Sequence, residues 1–66
     1  MFKLEELTKE FIKNWFTTNT GIKVETKSGI QYTVIKSEGT GKLYFYRREY
    51  YISPVKPTRE LRKIFL

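Results

Sequence analysis

The stretch KLYFYRREYYISP, residues 42–54, places tyrosines and an arginine at alternate positions of a predicted strand. Tyr44, Tyr46 and Arg48 would lie on the same face, because successive side chains of a strand point to opposite sides of the sheet. Aromatic rings on a strand can stack with unpaired nucleic-acid bases, while neighbouring cations neutralise the phosphates. The spacing therefore predicts a nucleic-acid-binding surface.

Positive charge is concentrated in the same half of the chain. The formal net charge is +6, and residues 42–66 hold seven Lys or Arg against two Glu, which leaves +5 in this half. Such asymmetry suggests an anionic partner, although solvated charges that keep the protein soluble explain it equally well. The predicted nucleic-acid-binding residues are Lys23, Lys42, Tyr44, Tyr46, Arg48, Arg59, Arg62 and Lys63.

Two other interpretations of the tyrosines remain open. Tyrosine and arginine are enriched in protein-binding hot spots, so the partner would instead be an acidic protein surface and the protein a binding module or inhibitor. The abundance of Lys, Ile, Thr and Tyr without Ala, compatible with an AT-rich coding sequence, would fit a phage or mobile-element protein. In the other interpretation, the tyrosines pack beneath the C-terminal helix or a second subunit.

The residue inventory argues against an enzyme. The sequence contains no His, Cys, Asp or Ala, and all seven acidic residues are Glu. Catalytic Ser-His-Asp and Cys-His groups therefore cannot form within one chain, and zinc sites need Cys or His in nearly every case. The GTGK sequence at 39–42 lacks the longer spacing of a P-loop. We predict a nonenzymatic protein without a metal or other cofactor.

Length and hydropathy predict a single cytoplasmic domain, 1–66. A domain this small buries only about 60% of the surface that its unfolded chain exposes. No apolar run approaches the roughly 18 residues of a membrane span, and the first residues, MFKLEELTKEF, are too acidic for a signal peptide. Residues 50–52 are apolar on both sides of the predicted strand, so the edge at 48–52 should be covered either by the C-terminal segment or by a second copy, and homodimerisation is a further expectation to test.

Two helices are predicted, one near each end of the chain. Apolar residues recur at helical spacing over 3–16, which predicts a helix with one side against the sheet. Residues 59–65 form a second helix, capped by Thr58 and too short to be stable without docking. The apolar positions of the first helix are Leu4, Leu7, Phe11 and Trp15.

The first two strands are predicted to form a hairpin over 22–36. A three-residue loop that ends at Gly29 pairs Val24 with Tyr32 and separates apolar from polar side chains. A two-residue loop would mix the two kinds of side chain on both faces. Loops of three residues also need a left-handed last residue, a conformation that glycine adopts readily.

The third strand completes the predicted sheet. A two-residue turn at Glu38-Gly39 would place Leu43 opposite Val34, on the apolar face. Beyond the end of the second strand, residues 48–52 should bulge, bend or pair with a different partner. The sequence thus predicts an α+β fold of order α-β-β-β-α, in which the N-terminal helix packs on one face of a three-stranded antiparallel meander.

Overall fold

The computed structural model describes residues 1–66 and has two α-helices and a four-stranded mixed sheet, which confirms the α+β class. The strands lie in the order β1-β2-β3-β4. Their bounds are Phe2–Lys3 for β1, Gly21–Glu25 for β2, Gln31–Lys36 for β3 and Leu43–Arg47 for β4. The helices are α1, Lys9–Thr18, and α2, Arg59–Phe65; a 3₁₀-helix, Leu4–Glu6, follows β1.

The fourth strand, β1, corrects the prediction of a purely antiparallel meander. β2, β3 and β4 do form the predicted antiparallel meander. β1 adds a parallel edge, in which Phe2 lies beside Val24 and Lys3 beside Glu25. A two-residue strand has no periodicity of its own, and its pairing depends on a partner some twenty positions along the chain. Local patterns therefore gave no signal for it.

The first helix begins at Lys9, and the predicted start at residue 3 is wrong. The hydroxyl oxygen of Thr8 accepts a hydrogen bond from the Phe11 N–H at 3.0 Å and so caps the helix. Leu4 and Leu7 are buried, as the helical pattern predicted. They lie, however, in the 3₁₀-helix and directly after it, and not in α1. A 3₁₀-helix also brings residues three apart to one side, which explains why the pattern was misleading.

The β2–β3 hairpin has the predicted register. Ile22 lies opposite Val34, and Val24 lies opposite Tyr32. Gly29 ends the three-residue loop with φ at +87°, the left-handed region that the loop requires. The apolar side chains of both strands consequently face the same side.

The loop between β3 and β4 is longer than the predicted two residues. Residues 37–42 connect the strands, and Phe45, rather than Leu43, lies opposite Val34. The register thus differs from the prediction by two residues. Because strand side chains alternate with a period of two, this shift leaves every side chain on the face that was predicted.

Both helices pack on the same face of the sheet. α1 contributes Ile12 to the core, and α2 contributes Leu61 and Phe65. The rings of Phe45 and Phe65 meet edge to face with 5.8 Å between their centroids, which places α2 on the apolar side of β4. The buried hydrophobic residues are Leu4, Leu7, Ile12, Ile22, Val24, Tyr32, Val34, Phe45, Leu61 and Phe65.

An aromatic cluster joins α1 to the edge of the sheet. The ring of Phe2 lies 5.4 Å from that of Phe11 and 5.1 Å from that of Trp15, both edge to face. The indole N–H of Trp15 donates to the carbonyl oxygen of Gly21 at 2.9 Å. Trp15 is half-buried and Phe11 is 38% exposed, so these residues border the core instead of filling it.

Candidate binding surface on the open sheet face

No helix covers the face of the sheet opposite the core. Alternation along β4 points Phe45 into the core and Tyr44 and Tyr46 outward. Tyr44 lies opposite Ile35 of β3, and Tyr46 lies opposite Thr33. Tyr44 is 37% exposed and Tyr46 is half-buried.

The chain reverses direction directly after β4. Arg48 has φ at +51°, an uncommon conformation for a residue other than glycine. Two hydrogen bonds hold it: its N–H donates to the Gln31 carbonyl at 3.1 Å, and its carbonyl accepts from the Thr33 hydroxyl at 2.5 Å. The Tyr50 N–H closes the turn on the Arg47 carbonyl. The predicted bend at 48–52 is therefore present, and its first residue, Arg48, is hydrogen-bonded to β3.

This reversal brings a third tyrosine to the open face. The rings of Tyr46 and Tyr51 meet edge to face, with 5.6 Å between their centroids. We call the surface formed by Tyr44, Tyr46 and Tyr51 the tyrosine face. The neighbouring Tyr50 and Ile52 do not pack on it and are 71% and 94% exposed.

An ion pair joins the same turn to β2. Lys23 Nζ lies 2.9 Å from Glu49 Oε1, and both side chains are exposed to solvent. The hydrogen bond and the charge of Glu49 raise the pKa of Lys23, and Lys23 lowers the pKa of Glu49 for the same reasons. The positive charge of Lys23 is thus already balanced within the protein.

The free edge of β4 is partly covered by the chain itself. After the turn, the Val55 N–H donates to the Phe45 carbonyl at 2.7 Å in an isolated antiparallel bridge. Exposed strand edges promote association between chains, and such a bridge blunts that tendency. The C-terminal segment thus pairs with the edge of β4 at Phe45, whereas homodimerisation through residues 48–52 stays a prediction.

The bridge also carries Lys56 to the side of the tyrosine face. Lys42 and Lys56 line a shallow depression beside Tyr44, together with Pro54 and Pro57. Lys42 was a predicted site residue, whereas Lys56 and Tyr51 were not. Lys56 and Tyr51 reach this surface because the chain turns back after Arg48. The predicted bend at 48–52 was the one sequence signal for this reversal.

The structure separates the predicted site residues into two groups. Tyr44, Tyr46 and Arg48 lie at the open face with Lys42 beside them, and Lys23 lies there in its ion pair. The predicted basic residues of α2 belong to a helix that packs on the opposite face, and all three are exposed there. The interpretation that the tyrosines lie beneath α2 is therefore wrong. The separated residues are Arg59, Arg62 and Lys63.

Comparison with known proteins identified no relative: no protein family, curated protein or solved structure matches the chain significantly. Neither α-helix has the length and apolar character needed to cross a lipid bilayer.

Proposed function

We propose that the protein is a nonenzymatic binding protein that holds a single-stranded nucleic acid on the tyrosine face. The observation that supports this proposal best is the partly exposed ring of Tyr44 on an open sheet face, where it lines one depression with Lys42 and Lys56. Base stacking on aromatic rings contributes about 1–3 kcal/mol per base and tolerates any sequence. A duplex keeps its bases stacked on one another, so the proposed ligand is single-stranded.

The roles of the individual side chains follow from their surroundings. Tyr44 offers its ring to one base, and Tyr51, which packs against Tyr46, is 48% exposed and offers a second ring. Lys42 and Lys56 would contact phosphates beside Tyr44, and Arg48 would do so at the turn. Lys23 adds little in this arrangement because Glu49 already balances its charge. The basic residues of α2 lie outside the proposed interface because α2 occupies the other face.

The direct test compares two tyrosine variants in binding to fluorescein-labelled oligo(dT) and oligo(U), followed by fluorescence anisotropy. Tyr44→Ala should weaken binding about 5- to 150-fold, which corresponds to the loss of one stacked base. Tyr50→Ala is the matched control, since its ring is 71% exposed but does not belong to the tyrosine face. Binding by the wild type should also weaken as salt rises, with a slope of about 0.7 per phosphate contacted. Equal effects of the two substitutions, or no effect of either, would contradict the proposal.

A second candidate function, protein binding, is favoured by the tip of the turn. The side chain of Ile52 is 94% exposed, and that of the nearby Tyr50 is 71% exposed. Bases stack on aromatic rings, so an exposed isoleucine does not contribute to stacking. Tyrosine is enriched in protein hot spots, and an aliphatic side chain can serve as an anchor that becomes buried in a pocket of the partner. In this alternative, Ile52→Lys should abolish a salt-tolerant complex with one protein while Tyr44→Ala leaves it intact. The opposite pattern would favour nucleic acid.

A further inference from the structure

A groove on the helix side of the protein is separate from the tyrosine face. It has a volume of about 470 Å³ and lies between α1, the end of the β3–β4 hairpin and the last turn of α2. Residues from all three elements line it, so the packing of both helices on one sheet face creates it. We call it the lysine groove; its lining residues are Lys9, Ile12, Lys13, Phe16, Lys36, Gly41, Lys42, Leu43, Ile64, Phe65 and Leu66.

The charged side chains around the lysine groove are all of one sign. Its lining includes four lysines and no acidic residue. All four lysines are exposed, and the one ion pair of the protein, Lys23–Glu49, does not involve them. Four uncompensated cations around one concave surface attract anionic groups more strongly than the same charges spread over a flat surface. The four are Lys9, Lys13, Lys36 and Lys42.

The floor of the lysine groove is apolar. Ile12 and Phe65 are buried beneath it, and Phe16, Leu43 and Ile64 are half-buried at its surface. Half-buried apolar side chains at the bottom of a concave surface gain free energy when a ligand displaces the remaining water. The groove therefore combines a cationic rim with an apolar floor, and a suitable ligand must carry both negative charge and apolar bulk.

These properties distinguish a peptide from a nucleic acid. Phe16 is the aromatic ring of the floor that is partly accessible, and Lys36 Nζ already lies 5.9 Å from its centroid in a cation–π contact. A base would have to displace that ammonium group in order to stack. An apolar peptide side chain instead needs only the floor, and neighbouring carboxylates can pair with the lysines of the rim.

We propose that the lysine groove binds an acidic peptide segment of a partner protein, which inserts one or two large apolar side chains among Phe16, Leu43 and Ile64. The lysine groove contains none of the three tyrosines, although the depression beside Tyr44 shares Lys42, Leu43 and Leu66 with its lining. The test below therefore leaves Lys42 unchanged, so that its outcome and that of the nucleic-acid experiment can be distinguished.

The test uses a fluorescein-labelled synthetic peptide with two tryptophans flanked by glutamates, and a twin peptide with serines in place of the tryptophans. The protein variant is Lys13→Glu/Lys36→Glu, which reverses two charges of the rim. Its control is Lys3→Glu/Lys27→Glu, which makes the same change of net charge at exposed positions outside the groove. Thermal unfolding of each variant checks whether the fold is retained. A further pair, Ile64→Gln and Ile30→Gln, tests the floor against an apolar residue elsewhere that is 37% exposed.

We expect the tryptophan peptide to bind the wild type and to lose at least about tenfold in affinity with Lys13→Glu/Lys36→Glu, because like charges across an interface oppose association. The control pair should change the affinity less than about threefold, the screened effect of distant charges. The serine peptide and Ile64→Gln should each weaken binding, and Ile30→Gln should not. The proposal is overturned if the tryptophan peptide does not bind, if both peptides bind equally, or if both charge-reversal variants weaken binding equally. It is also overturned if oligo(dT) binding, rather than peptide binding, is lost in Lys13→Glu/Lys36→Glu.

Discussion

The two faces of the sheet are stabilised in different ways. The helix side buries ten hydrophobic residues in one core, whereas the one buried residue of the open side is Thr33. The open side has instead the hydrogen bond from Thr33 to Arg48, the ion pair between Lys23 and Glu49, and the edge-to-face contact of Tyr51 with its neighbouring tyrosine on β4. Buried apolar area contributes far more to stability than exposed ion pairs do. Substitutions in the buried core of the helix side should therefore alter stability, and substitutions of exposed residues on the open side should mainly alter binding.

The largest effect is expected from Leu61 of α2, whose side chain is fully buried in the core. Leu61→Ala should lower the free energy of unfolding by about 2–5 kcal/mol, since it removes core contacts and leaves a cavity. Leu66→Ala makes the same chemical change at the end of α2, where the side chain is 64% exposed, and should cost less than about 0.5 kcal/mol. Urea denaturation measures both values. Similar losses in the two variants would mean that α2 does not dock as described.

A smaller effect is expected from the turn at Arg48. Arg48→Gly and Arg48→Ala both remove the side chain, but only glycine adopts positive φ without a steric penalty. Arg48→Gly should therefore be more stable than Arg48→Ala by about 1 kcal/mol. Equal stabilities in urea denaturation would show that Arg48 does not hold φ at +51° in solution. Both variants should lose nucleic-acid affinity to the same extent, because the same cation is absent from each.

The smallest effect on stability is expected at the ion pair of the open face. Glu49→Gln should strengthen binding to oligo(dT) and steepen its salt dependence by up to about 0.7, because Lys23 becomes free to contact a phosphate. Glu60→Gln changes the net charge equally on the α2 side and should leave the salt slope unchanged. If both variants strengthen binding to the same degree, only net charge matters and Lys23 does not face the ligand.

The same pair gives a pH dependence whose sign can be stated. Lys23 lowers the pKa of Glu49 in the folded protein. The contribution of Glu49 to stability is therefore present above its pKa in the unfolded chain. It is lost as pH falls through the pKa of Glu49 in the folded protein. Glu49 raises the pKa of Lys23 in the folded protein. The contribution of Lys23 to stability is therefore complete below its pKa in the unfolded chain and is lost as pH rises through its pKa in the folded protein. In Glu49→Gln, this part of the pH dependence of thermal unfolding should disappear.

Elements with strong local signals were predictable from the sequence. Gly29 and the alternation around it defined the β2–β3 register, and Thr58, whose hydroxyl accepts from the Leu61 N–H, marked the start of α2. The outward direction of Tyr44 and Tyr46 followed from the same alternation, and it survived a two-residue error in register because the period of a strand is two.

Elements that depend on distant contacts were not predictable. β1 is only two residues long and gains its structure from β2. The amphipathic pattern of α2 showed which of its sides is apolar, but not which face of the sheet it would pack on. Tyr51 reaches the tyrosine face because Arg48 adopts a left-handed conformation, for which arginine has no preference. Of these three features, the packing of α2 decided which predicted site residues share a surface.

The most direct test of the central claim is a two-dimensional ¹H–¹⁵N NMR titration of the wild type with oligo(dT). We predict that the largest shifts of backbone amide signals occur at Tyr44, Tyr46 and Tyr51, while those of Arg62 and Lys63 in α2 remain near their starting positions. The opposite pattern, with the largest shifts in α2 and little change along β4, would contradict the claim that the open sheet face binds nucleic acid.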